Sequence, residues 1–200
     1  EIRDSGREHA NLVIDAGDLP DHGSRPEDQF AASIATLNVP YVFVRGNHDS
    51  LGTEHAVREQ SNAHVLSGEV IEVGGFRIIG AGDPRFTPNR LIDPDPAAVV
   101  KVGQDLSRTA FLSSPRIDIA VVHDPTAARE LDGSVPLLLA GHAHRRSTEI
   151  LERGSRLLVQ GSTGGAGLRG IETEEPTPIM CSILYFDRSS KQLQAWDEIT

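Results

Sequence analysis

Four short segments of this 200-residue sequence carry side chains of the kinds that hold metal ions. They contain histidine, aspartate and asparagine, and half of the eight histidines of the chain lie in them. The segments are Gly17-Asp18, Gly46-Asn47-His48-Asp49, His123-Asp124 and Gly141-His142-Ala143-His144. Their glycines let the backbone approach a ligand closely. The pattern predicts one site that is assembled from separate parts of the chain.

The types of donor narrow the chemistry of this predicted site. Imidazoles, a carboxylate and a side-chain amide, without a thiolate, suit divalent manganese, iron or zinc. The single cysteine, Cys181, excludes a cysteine-based zinc site and an internal disulfide framework. Two such cations about 3.5–4 Å apart can bind an attacking hydroxide and the oxygens of a phosphoryl group. We therefore expect hydrolysis of a phosphate ester by water.

Each of the four segments follows an apolar run that is typical of a buried strand. These runs cover residues 11–16, 41–45, 117–122 and 135–140. Helical patterns at residues 26–38, 53–61 and 97–113 alternate with them, and hairpins are predicted at 69–81 and 181–199. In open α/β sheets, sites form at the carboxyl ends of the strands. We expect one α/β domain over residues 1–200, with the four segments at one edge.

These motifs, in this order, resemble those of the calcineurin-like metallophosphoesterase family. The resemblance implies a four-layer α/β/β/α sandwich with two mixed sheets and a dinuclear metal site. It makes Asp18 the carboxylate that bridges the two metals. The other implied metal ligands are Asn47, His123 and His142 for the second metal and His144 for the first. Asn47 and His48 would contact the substrate phosphate, and His48 would also protonate the leaving oxygen. Asp49 would orient His48.

The sequence departs from the family pattern at its start. The family has an Asp-x-His motif after a first strand, and no such motif precedes Asp18. Asp4 and His9 lack the required spacing. We expect that the chain lacks the first strand and is a C-terminal fragment of a longer protein. Its first metal site would then be incomplete, and the alternative is a non-catalytic scaffold domain with the same fold.

Several residues beside the motifs have two interpretations. Arg45 adjoins the second segment and could bind a substrate phosphate, because arginine binds phosphate through two parallel hydrogen bonds. A pairing of Arg45 with a carboxylate is an equal alternative. Asp124 followed by Pro125 has the pattern of a helix N-terminus, with Asp124 as the cap. The loops at residues 83–96 and 161–170 would set the substrate specificity.

The overall charge limits the partners. Nineteen basic and 29 acidic residues give a net charge of −10 with histidine neutral. Such a chain is a poor candidate for non-specific binding to nucleic acid or to an anionic membrane. No apolar run approaches the length of a membrane span, although an anchor upstream of Glu1 is compatible with this pattern. No feature of the sequence selects a compartment or an oligomeric state.

Overall fold

The computed structural model describes residues 10–22, 24, 27–87, 95–164 and 177–200. The two loops predicted to set specificity, and the segment that contains Asp4 and His9, lie partly or wholly outside these ranges. In chain order the strands are β1 (Val13–Asp15), β2 (Tyr41–Phe43), β3 (Ala63–Val65), β4 (Val70–Val73), β5 (Phe76–Ala81), β6 (Ile119–Val122), β7 (Leu137–Ala140), β8 (Ser147–Ile150), β9 (Arg156–Val159), β10 (Cys181–Phe186) and β11 (Leu193–Ile199).

The strands form three sheets. The largest has the order β4-β5-β6-β7-β9-β8, and β5, β6, β7 and β9 run parallel while β4 and β8 are antiparallel edges. A parallel sheet has the order β1-β2-β3, and β10 and β11 form an antiparallel hairpin. The predicted α/β class with mixed strands is confirmed. The sequence did not predict β3 or β8, and the exact four-layer arrangement stays a prediction.

Alternation along the strands gives each central strand two buried faces. In β6, Ile119 and Val121 pack toward β2 and the final hairpin, whereas Ala120 and Val122 pack toward helices. In β2, Val42 belongs to the core between the sheets, and Phe43 packs against the helices of the first half. Such two-sided burial is typical of parallel strands covered on both faces.

Capping residues mark the helix starts. The helices are a 3₁₀ helix over Glu27–Leu37, α1 (Leu51–Arg58), α2 (Pro96–Leu112) and α3 (Pro125–Arg129). Asp124 Oδ1 accepts a hydrogen bond from the Thr126 N–H at 2.7 Å, and Pro125 occupies the first turn, which confirms the predicted cap. Within the described ranges, no helix is long and apolar enough to cross a membrane.

Candidate active site

Side chains from four strand ends meet at one place. Asp18 lies just beyond β1, Asn47 beyond β2, His123 beyond β6 and His142 beyond β7. His123 Nε2 lies 3.2 Å from Asp18 Oδ2 and 2.9 Å from Asn47 Oδ1. His142 Nδ1 lies 3.2 Å from the same His123 nitrogen and 2.9 Å from the same Asn47 oxygen. We call these four residues the strand-end cluster.

A hydrogen bond from His123 Nδ1 determines that Nε2 is the nitrogen that faces the cluster as an acceptor. His123 Nδ1 lies 2.6 Å from the carbonyl oxygen of Ala16. A carbonyl oxygen can only accept, so Nδ1 carries a proton, and Nε2 of the neutral imidazole presents a lone pair. The facing atoms of Asp18 and Asn47 are also acceptors. The strand-end cluster therefore gathers lone pairs around a shared space.

Asp18 and His123 each shift the pKa of the other toward its charged form, whereas the pKa of His142 favours its neutral form. Burial raises the pKa of Asp18, but the hydrogen bond and charge of His123 and the His48 N–H outweigh it and hold that pKa below its usual value. Burial lowers the pKa of His123, but the Asp18 carboxylate reverses this, so the pKa is raised. Burial and the charge of His123 both lower the pKa of His142.

This donor set fits a divalent cation. Ligand atoms of Asp18, His123 and His142 all lie within 4.8 Å of one another. One carboxylate and two imidazoles, with an amide oxygen beside them, are ligands that manganese, iron and zinc accept. In the absence of a cation, a proton on His123 Nε2 would be shared with the acceptor oxygens of Asp18 and Asn47. A cation at the cluster would bind these oxygens and the nitrogen directly.

His48 is held beside the cluster through its backbone and its ring. Its N–H donates to Asp18 Oδ1 at 2.8 Å. Its Nδ1 lies 2.8 Å from the backbone carbonyl oxygen of Asp21, and its Nε2 lies 3.4 Å from Thr87 Oγ1. Because the Asp21 carbonyl accepts, Nδ1 carries a proton and Nε2 is the nitrogen that can gain or release one.

Asp49 does not orient the His48 ring, which corrects the sequence-based expectation. Its Oδ2 accepts from the N–H groups of Gly46 and Asp18 at 2.6 and 2.8 Å, and its Oδ1 accepts from the Leu19 N–H at 3.0 Å. Backbone N–H groups therefore bind both carboxylate oxygens of Asp49. Burial raises the pKa of Asp49 to about 7, although the bond from Gly46 opposes this. Asp49 acts as a clamp that joins the loops after β1 and β2.

The sequence match decides the family. A family model described as calcineurin-like phosphoesterase matches residues 2–146. This range spans more than half of the chain and contains the whole strand-end cluster. The chain belongs to the calcineurin-like phosphoesterase family. The resemblance stated from the motifs is thereby confirmed, while no protein with a curated function matches the sequence.

The chain is similar to solved structures at low sequence identity. A hypothetical protein from Thermus thermophilus is 18% identical, with 95% of this chain and 87% of that chain covered at a TM-score of 0.54. A structure described as a novel archaeal phosphodiesterase is 14% identical, with 96% and 84% covered at a TM-score of 0.48. The likeness to the Thermus protein concerns the fold and not the substrate.

His144 lies two residues beyond the strand-end cluster and outside it. Among the residues that the structure describes, the close group of ligand atoms comprises only Asp18, His123 and His142. Asp18, His142 and His144 all have φ values between 52° and 64°. Left-handed backbone at non-glycine residues concentrates at functional sites. The role of His144 as a ligand of the first metal stays a prediction.

Arg45 has structural partners, and its predicted contact with substrate stays a prediction. Arg45 Nε lies 3.2 Å from Glu54 Oε2, and Nη2 donates to the Asp83 carbonyl oxygen at 3.0 Å. The Arg45 side chain is only 18% exposed. The alternative of a carboxylate-paired arginine is the one that the structure supports.

An ion-pair chain beside the cluster was missed from the sequence. Arg85 donates to both oxygens of Asp83, through Nε at 2.8 Å and Nη2 at 2.6 Å, and Nη2 also donates to Asp124 Oδ2 at 2.6 Å. The same Asp124 oxygen lies 3.7 Å from His142 Nε2, which favours a proton on that nitrogen and leaves Nδ1 as an acceptor. The sequence did carry a signal for these ion pairs, because Asp83 follows the end of β5 just as the four motifs follow the ends of their strands.

Close backbone packing explains two of the motif glycines. Gly17 has φ +93°, and a Cβ there would overlap the backbone of Gly46. A Cβ on Gly46 would overlap the backbone nitrogen and Oδ1 of Asp18. Only glycine at both positions lets the loops after β1 and β2 approach closely enough for Asp18 to reach the cluster.

Proposed function

We propose that this protein hydrolyses a phosphate ester with divalent cations held at the strand-end cluster. The observation that carries the proposal is the convergence of acceptor atoms from Asp18, Asn47, His123 and His142. Membership of the calcineurin-like phosphoesterase family supports phosphate-ester hydrolysis as the class of reaction.

The proposal includes two cations of manganese, iron or zinc. The strand-end cluster would hold one, and Asp18 and His144 would supply this chain's ligands for the other. Such cations supply Lewis-acid stabilisation of phosphoryl oxygens and lower the pKa of bound water. The Ala16 carbonyl keeps His123 in the ligating tautomer, and the His48 N–H fixes the position of the Asp18 carboxylate.

His48 is the proposed proton donor to the leaving oxygen. Its Nδ1–H is bonded to the Asp21 carbonyl, so a proton transferred to the leaving oxygen would have to come from Nε2 of the protonated ring. General acid catalysis of this kind contributes about 10²–10⁴-fold to a rate. The ring can act without the help of Asp49, since Asp21 sets its orientation.

The test compares hydrolysis and metal content in matched variants. The protein is assayed on p-nitrophenyl phosphate and bis-p-nitrophenyl phosphate with manganese, iron or zinc. We expect His142→Ala to lose bound metal and turnover together. We expect His48→Ala to keep its metal and to lose about 10²–10⁴-fold in turnover. His55→Ala is the control, because His55 is an exposed partner of Glu59 on α1.

Two results would overturn the proposal. A wild-type protein that binds none of these cations after supplementation would contradict the metal site. A protein that binds cations but hydrolyses neither ester would favour the non-catalytic scaffold.

A further inference from the structure

The segment after β5 runs alongside the loop that carries Asn47. The Asp83 N–H donates to the Arg45 carbonyl at 2.7 Å, and the Thr87 N–H donates to the Asn47 carbonyl at 2.9 Å. These two backbone bonds fix Thr87 next to Asn47, although 40 residues separate them in the chain.

The Thr87 hydroxyl determines how the Asn47 amide is oriented. Asn47 Nδ2 donates to Thr87 Oγ1 at 2.7 Å, and Thr87 Oγ1 lies 3.2 Å from the Asn47 carbonyl oxygen, to which it donates. With its nitrogen held by Thr87, the amide turns Oδ1 toward His123 and His142. An amide has two orientations that differ only by exchange of oxygen and nitrogen.

The other orientation would close the site to a cation. If the amide turned over, Nδ2 would donate hydrogen bonds to His123 Nε2 and His142 Nδ1. Those bonds would satisfy both imidazoles and would remove the Asn47 oxygen from the cluster. When His123 is neutral and no cation is bound, the strand-end cluster alone favours this reversed amide, since all its other members are then acceptors. An acceptor on the far side of Asn47 is needed to oppose it.

We propose that Thr87 is a positioning residue that holds Asn47 in its cation-binding orientation. This inference rests on the proposed function, because it takes the strand-end cluster as a cation site. Thr87 Oγ1 also lies 3.4 Å from His48 Nε2. One hydroxyl thus contacts both a metal ligand and the proposed proton donor, although it belongs to none of the four motifs.

The test measures Mn²⁺ affinity directly by titration calorimetry on the metal-stripped protein. Thr87→Val keeps the branched shape and the backbone N–H but removes the acceptor. We expect it to weaken Mn²⁺ binding by about 10–100-fold, as for other residues that orient metal ligands. Thr87→Ser keeps a hydroxyl and should restore most of the affinity. Thr109→Val is the matched control, because Thr109 bonds the Asp105 carbonyl on the exposed face of α2.

The outcomes separate the two proposals. If the wild-type protein binds no Mn²⁺, the proposed function fails. If the wild type binds Mn²⁺ and Thr87→Val binds it equally well, the positioning role is overturned and the metal site stands. Thr87→Ala is a second variant without the acceptor, and we expect it to weaken Mn²⁺ binding as Thr87→Val does. Equal weakening of Mn²⁺ binding in Thr87→Val and Thr87→Ser would also contradict the role of the hydroxyl. Thermal unfolding of each variant reports whether it is folded.

Discussion

Asp49 shows how a motif residue can serve the site without touching its chemistry. Its two oxygens accept the N–H groups of Gly46, Asp18 and Leu19. These bonds hold together the loops that present the aspartate and the asparagine of the strand-end cluster. The ring of His48 takes its orientation from the Asp21 carbonyl instead. Side chains next to each other in the motif therefore have separate tasks.

Replacing Asp49 should affect stability first. In Asp49→Ala the buried Gly46 N–H loses its acceptor, which should lower the free energy of unfolding by about 1–3 kcal/mol from this donor alone. Urea unfolding of the metal-free protein measures the change. Asp105→Ala is the control, since Asp105 forms exposed pairs on α2. Unchanged stability, with an altered pH dependence of turnover, would instead support the original expectation that Asp49 orients His48.

The segment after β5 and the start of α3 form a structural unit beside the site. Arg85 joins them, because its guanidinium bonds the fully buried Asp83 carboxylate and the cap residue of α3, Asp124. The Arg85 side chain is 16% exposed, so these are protected charges. The pKa of Arg85 is raised, first by its hydrogen bond to Asp83. The unit holds a carboxylate within 3.7 Å of His142.

Removing the arginine should break this unit. Arg85→Met leaves two carboxylates near each other without their partner, and loss of one member of a buried ion pair costs about 3–5 kcal/mol. Urea unfolding should show this loss, and the double variant Arg85→Met with Asp83→Asn should recover part of it. Arg108→Met, which removes an exposed pair with Asp105, should change stability by no more than about 1 kcal/mol. Similar losses in both arginine variants would contradict the unit.

At the scale of the whole molecule, the site joins two sheets. Asp18 and Asn47 follow strands of the three-stranded sheet, whereas His123 and His142 follow strands of the six-stranded sheet. The bond from His123 to the Ala16 carbonyl crosses the same boundary. A cation at the cluster would add a cross-link between the sheets, on top of the apolar core that they share.

Cation binding should therefore raise the thermal stability of the protein. A ligand that binds only the folded state, at 100 times its Kd, adds about 2.7 kcal/mol, which corresponds to about 5–10 °C for a chain of this size. Thermal unfolding with excess Mn²⁺ and with EDTA measures the shift. His142→Ala should lose the shift and His55→Ala should keep it. A shift of the same size in His142→Ala would place the stabilising cation elsewhere.

Much of the fold could be predicted from local patterns. Apolar runs gave the strands at both ends of the chain, and Asp124-Pro125 identified a helix start. β3 was missed because the exposed His64 at its centre interrupts the apolar pattern, and β8 because all of its residues are exposed. Short or exposed strands depend on pairing with distant neighbours, which an apolar pattern does not record.

The convergence of the site residues could be predicted, but the hydrogen-bond network around them could not. Parallel strands bring their carboxyl ends to one edge, so motifs after strands were enough to assemble Asp18, Asn47, His123 and His142. The roles of Asp49, Arg85 and Thr87 depend on partners 30 to 40 residues away. Such pairings follow from loop paths in three dimensions.

The division of the strand-end cluster between two sheets also bears on how the chain folds. The Ala16 carbonyl and His123 are 107 residues apart, and closing so long a loop is entropically costly and slow. Each sheet alone carries only half of the cluster. During synthesis, a growing chain would therefore lack the proposed cation site until both sheets have docked, and metal capture would report that docking.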